Sequence, residues 1–177
     1  MANVVLVTDM VVGFMEDGHN LYCGDAAREI IPNVQRLIES EQAAGGSVIF
    51  ICDTHDPDDL EFQMFPVHCV RGTEEPEIIP ELRDYDGIHL PKRRYSAFYD
   101  TNLEDTLARL QPDRVIVCGV CTDICVMHTV ADARNRDYPV DVPTDCVASF
   151  DPQAHENALM HMKDILGARL LKEEEKD

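Results

Sequence analysis

Three short runs of consecutive apolar, largely β-branched residues punctuate the chain: Val4 to Val7, Val48 to Cys52 and Val115 to Cys118. Runs of that length without polar alternation are the pattern of strands buried on both faces, and such strands are usually parallel. Between them the apolar positions change to helical spacing, in Pro32 to Ala44 with Val34, Leu37 and Ile38, in Leu103 to Leu110, in Asp123 to Arg136 and in Pro152 to Leu166. Gly45-Gly46, Gln111-Pro112 and Gly167 mark helix ends. Weaker strand patterns at Ile88 to Leu90, Val140 to Val142 and Ala168 to Leu171 bring the strands to about six. The alternation predicts an α/β fold: an open, mostly parallel six-stranded sheet with helices on both faces, a Rossmann-like three-layer α/β/α arrangement. Asp53 to Pro80 breaks the rhythm, being long, polar and proline-containing. Loops of that length directly after a strand are usually functional.

At 177 residues with 45% hydrophobic positions, the chain reads as one domain, 1–177, with a sizeable core. Lys172 to Asp177 reads as a frayed acidic tail. No stretch approaches the ~18 apolar residues that span a bilayer, and the N-terminus lacks the pattern of a signal peptide. A cytoplasmic protein without a membrane partner is expected. Seven cysteines at irregular spacing suit reduced thiols better than a disulfide framework. The net charge of −19, from 34 acidic against 15 basic residues, leaves no extended basic face for a phosphate backbone and argues against a nucleic-acid partner.

In an open α/β sheet, ligands bind beyond the carboxyl ends of the strands. The residues just past each strand are Asp9, then Asp53 and His55, then Lys92, then Cys121 to Cys125. Cys125 falls where a buried strand turns into a helix; unpaired N–H groups and the helix dipole favour thiolate there. A cysteine so placed can equally be an apolar space-filler, Asp9 a hydrogen-bonded strand end, and Lys92-Arg93-Arg94 a solvated basic patch. Taken together, a lysine that stabilises thiolate and a carboxylate that accepts its proton make Asp9, Lys92 and Cys125 a catalytic candidate. Cys118 and Cys121 form a C-x-x-C, but its redox reading is weak because Cys118 belongs inside the sheet. Asp53-Thr-His55 sets two ligand types two residues apart, and Glu61 and His68 could complete an oxygen and nitrogen metal site. That donor set suits zinc, manganese or ferrous iron. The competing reading is a solvated loop whose histidines cap turns.

These segments carry a resemblance. Val7-Thr-Asp9-Met-Val-Val-Gly-Phe14, Asp53-Thr-His55 with Phe65-Pro-Val-His68-Cys-Val-Arg-Gly-Thr73, Lys92-Arg-Arg-Tyr-Ser-Ala-Phe98, and Gly119-Val-Cys-Thr-Asp-Ile-Cys125 through Ala131-Asp-Ala133 stand in order. Along nearly its whole length the chain resembles the nicotinamidase/isochorismatase-like cysteine hydrolases, and its two metal-type segments are those of the metal-binding nicotinamidases. The resemblance implies a triad of Asp9, Lys92 and Cys125. It also implies a cis peptide before Cys121 that turns the N–H groups of Cys121 and Cys125 toward a shared oxyanion site. Phe14, Phe65, Val120 and Cys121 are the implied substrate contacts, with the two phenylalanines flanking a flat ring. Asp53, His55, Glu61 and His68 are the implied metal ligands, with zinc favoured over manganese or iron. The departures bear on substrate: Val11 and Val12 stand where polar residues are often found, Phe65 where a tryptophan is usual, Cys121 where a small residue is usual, and Glu61 where some relatives carry histidine.

The expected activity is hydrolysis of a small amide, nicotinamide to nicotinate and ammonia in the leading case. A related hydrolase acting on another small amide, on a ureido or carbamoyl compound or on isochorismate is the first alternative. A non-catalytic binding protein on the same scaffold is the second. Relatives often associate, so a homo-oligomer is compatible with the resemblance.

Overall fold

The computed structural model describes residues 2–171; the acidic tail, 172–177, lies outside them. Six strands lie in the order β3-β2-β1-β4-β5-β7: β1 (Val4–Thr8), β2 (Ser47–Asp53), β3 (Ile88–Lys92), β4 (Val115–Val120), β5 (Val140–Pro143) and β7 (Arg169–Leu171). A seventh, β6 (Val147–Ala148), pairs with β4 beyond that path. The sequence predicted six strands. The additional one has two residues, too short to set a hydrophobic period. Every pairing between these strands is parallel. Residues alternate across the sheet because successive side chains of a strand point to opposite faces. Val5 and Val7 pack with α3 (Ile31–Ala43), whereas Val4 and Leu6 pack with α4 (Leu103–Leu110), α5 (Met127–Asn135) and α6 (Pro152–Asp164). This is the expected three-layer arrangement. The short helices α1 (Val12–Met15) and α2 (Asp25–Arg28) join the α3 layer.

Two features position the site. Strand order runs outward in opposite directions from the β1–β4 pair, so a crevice opens between the carboxyl ends of those strands. The long segment after β2 is anchored: a parallel bridge joins His55 to Val70, with the His55 N–H donating to Cys69 O at 2.9 Å and the Arg71 N–H to His55 O at 2.8 Å. Folding back in this way sets His68 beside His55.

Between β4 and α5 the chain does not enter an α-helix directly. Thr122–Val126 form a π-helical turn whose first residue follows Cys121, and the Cys121 carbonyl accepts from Ile124 at 3.0 Å and from Val126 at 3.2 Å. Cys125 therefore sits in a wide turn ahead of α5 rather than in the first turn of an α-helix. Such bulges recur at functional sites. The Val120–Cys121 peptide is cis, as the resemblance implied.

Candidate active site

Asp9 leaves β1 with a left-handed backbone, φ 53°, its N–H donating to Ile51 O at 2.9 Å. Its Oδ1 accepts from the Asp53 N–H at 2.9 Å, and its Oδ2 pairs with Lys92 Nζ at 2.9 Å. Lys92, at the end of β3, also donates to Asp53 Oδ1 at 2.8 Å and to Cys125 Sγ at 3.5 Å. All four side chains are buried. One ammonium so placed among two carboxylates and a thiol must remain charged: burial works against it, but Asp53 and Asp9 hold its pKa well above the usual lysine value. Burial raises Asp9 to about 6 against the pull of Lys92, which leaves it ionised at neutral pH. Burial also pushes the Cys125 thiol up, with Lys92 opposing. The resting state is a thiol beside a carboxylate able to take its proton.

Next to this trio, Asp53, His55 and His68 offer three ligand atoms within 4.8 Å of one another, all from buried residues. Asp53 Oδ2 lies 2.9 Å from His55 Nε2 and 3.2 Å from His68 Nε2. The opposite ring nitrogens are engaged, His55 Nδ1 by Asp59 Oδ2 at 3.0 Å and His68 Nδ1 by Pro66 O at 2.7 Å. Both Nε2 atoms thus converge on one carboxylate, the arrangement by which outer partners orient histidine ligands. The donor set fits a divalent transition-metal ion. Glu61 Oε1 stands 4.0 Å from His68 Nε2, at the margin of the group rather than within it. Burial and the Asp53 charge raise the Glu61 carboxyl. For His55, burial lowers the pKa, but hydrogen bonds to Asp53 and Asp59 carry it to about 9.

Both clusters open on one pocket, lined by Asp9, Asp53, Glu61, His68 and Cys125 and walled by apolar side chains. Phe14, Phe65, Val120 and Cys121, the four expected substrate contacts, are all on its wall. Leu21, Tyr95, Ile124 and Phe150 also line it and were not singled out from the sequence. Tyr95 was within reach of sequence reasoning, because it belongs to the Lys92 to Phe98 segment; it meets Phe65 edge-on, with ring centroids 6.4 Å apart. Leu21 and Phe150 come from loops without a motif. Cys118 donates to Leu6 O inside the sheet, whereas Cys121 Sγ faces Cys23 Sγ at 3.6 Å, so the C-x-x-C is not a pair in space. Nor is Arg94 part of a solvated patch: its guanidinium contacts both carboxylate oxygens of Asp59, at 2.8 and 3.0 Å.

The Isochorismatase domain profile matches residues 3–174. Among solved structures, a nicotinamidase/pyrazinamidase from Bacillus subtilis superposes with a TM-score of 0.90 at 35% identity, over 96% of this chain and 99% of that one. A pyrazinamidase from Pyrococcus horikoshii in complex with zinc gives 0.89 at 28% identity, covering 97% and 99%. An N-carbamoylsarcosine amidase from Thermoplasma acidophilum gives 0.88 at 33% identity, covering 97% and 96%. Sheet order, pocket chemistry and these likenesses agree: the chain belongs to the isochorismatase family of hydrolases, with close structural similarity to nicotinamidases.

Proposed function

We propose that the protein is a metal-binding cysteine amidohydrolase that converts nicotinamide and water to nicotinate and ammonia. The observation that carries this reading is the junction of two clusters in one pocket: Cys125 held against Asp9 and Lys92, and Asp53, His55 and His68 turned toward a common point beside it.

In this reading Asp9 accepts the Cys125 thiol proton as sulfur attacks the carboxamide carbon. Lys92 stays protonated and balances the negative charge that passes between carboxylate and thiolate. The N–H groups of Cys121 and Cys125 receive the tetrahedral oxyanion, where one donor typically contributes about 3 to 4 kcal/mol. Collapse breaks the C–N bond, Asp9 returns its proton to departing ammonia, and water then cleaves the thioester to give the acid and the free thiol. Asp53, His55 and His68, with Glu61 adjacent, would hold a divalent cation, zinc in the leading case and manganese or iron otherwise. When bound, the cation supplies a Lewis-acidic anchor for a ring nitrogen. Phe14, Phe65 and Tyr95 suit a flat aromatic ring. The apolar wall also excludes bulk water from the oxyanion site.

Purified protein should release ammonia from nicotinamide and carry close to one equivalent of transition metal. Cys125→Ala should lose turnover by several orders of magnitude with its metal content unchanged; retained ammonia release would refute the thioester route. The likeness to an N-carbamoylsarcosine amidase favours one second reading, a carbamoyl or ureido substrate. A substrate panel scored for ammonia separates the two, and pyruvate release would instead identify an isochorismate-type substrate.

A further inference from the structure

Asp59 takes no part in the chemistry above, yet it is the most heavily engaged side chain of the loop that carries His55 and His68. Its Oδ1 accepts from the Glu61 N–H at 2.9 Å, opening the 3-10 turn Leu60–Gln63, while its Oδ2 accepts from His55 Nδ1 at 3.0 Å. Arg94, two residues past the end of β3, reaches across to both oxygens and comes within 3.6 Å of Glu61 Oε2. Asp59 is thus fixed from two sides, by the turn it caps and by an arginine from a different part of the sheet edge. Its side chain is only 6% exposed.

A neutral imidazole carries one proton, and the nitrogen that keeps it is set by the partner of the other. A carboxylate at Nδ1 can only accept, so it holds a proton on Nδ1; when a cation displaces the proton that Nε2 shares with Asp53, the lone pair that meets it is the one on Nε2. We propose that Asp59, clamped by Arg94, is a positioning residue that presets His55 as an Nε2 donor and thereby sets the site's affinity for a divalent cation. This rests on the metal-binding reading of Asp53, His55 and His68.

The test is titration of chelator-stripped protein with Zn2+ against a competing chelator, for wild type, Asp59→Asn and Arg94→Met. Asparagine keeps the shape of aspartate and can still cap the turn through Oδ1, but it then presents an N–H donor to His55 Nδ1. That partner favours the tautomer with its proton on Nε2. Asp59→Asn is expected to bind Zn2+ about 10- to 100-fold more weakly, the loss typical when a histidine's outer partner is removed. Arg94→Met, which frees Asp59 without reversing its polarity, should bind with intermediate affinity. In the Zn2+-loaded proteins, the His55 Nδ1–H proton resonance should stand far downfield in wild type because it donates to the Asp59 carboxylate, and should lose that downfield shift in Asp59→Asn. Wild-type Zn2+ affinity in Asp59→Asn would overturn the proposal and reduce Asp59 to a cap. A wild-type protein that binds no Zn2+ would overturn the metal site itself, a distinguishable result.

Discussion

Gly119 is the residue on which the geometry of the pocket turns. It lies at φ 104°, and a Cβ built there would stand 2.0 Å from the Thr8 carbonyl oxygen, its register partner on β1. No rotamer relieves a clash between backbone atoms, and the φ value itself is unfavourable for any residue with a side chain. Only glycine lets the end of β4 close on the end of β1, where Asp9 and Cys125 must meet. Gly119→Ala should therefore cost more than about 2 kcal/mol in urea unfolding. Turnover should fall further than the stability loss explains, because the 120–125 backbone would shift. An unchanged unfolding midpoint would show that the strands can part without consequence.

Among the elements, the β4–β5–β7 side of the sheet is tied together by a buried carboxylate. Asp141 on β5 accepts from Arg114 Nε at 2.8 Å, from Arg169 Nε at 3.0 Å and from Arg169 Nη2 at 2.7 Å, joining β5 to the residue that precedes β4 and to the first residue of β7. Burial pushes this carboxyl up, but the hydrogen bonds from Arg169 and Arg114 outweigh it and hold the pKa below the ordinary aspartate value. A folded-state pKa below the unfolded one gives stability that is fully present above about pH 4 and lost as pH falls through the folded value. Asp141→Asn should then lose about 1 to 3 kcal/mol at pH 7, discounted for the partial exposure of both arginines. The gap between wild type and variant should narrow in acid. A constant difference from pH 7 to pH 3 would mean that the charge contributes nothing.

For the whole molecule, a net charge of −19 on 177 residues means self-repulsion in the folded state. Raising sodium chloride from about 0.01 to about 0.5 M shortens the screening length from about 30 Å to a few ångströms and should raise Tm by several degrees. A Tm that falls or stays flat would indicate that attractive pairs such as Arg136–Glu104 and Arg28–Glu81 dominate the surface balance. Among the described residues no helix is long and apolar enough to cross a membrane.

The sequence by itself determined the order of elements and which ionisable and nucleophilic side chains stand at the strand ends, because burial on both faces writes continuous apolar runs and because those side chains follow them directly. Val4 to Val7, Val48 to Cys52 and Val115 to Cys118 were legible for that reason, and so were Asp9, Lys92 and Cys125 as residues bound for one edge. The exact four-residue bounds of α1, the two-residue β6 and the π turn before α5 were not, since each is too short for a hydrophobic period to repeat. What only the tertiary structure decided is proximity across sequence. Arg94 read as surface charge until the fold placed it on Asp59, 35 residues away. The sequence placed Cys121 by its backbone and gave no sign that its sulfur faces Cys23, 98 residues away. Phe150 joined the pocket from a loop with no motif. A pattern along the chain reports which face of an element is buried; which distant partner it is buried against is set when parallel strands, far apart in sequence, are brought side by side.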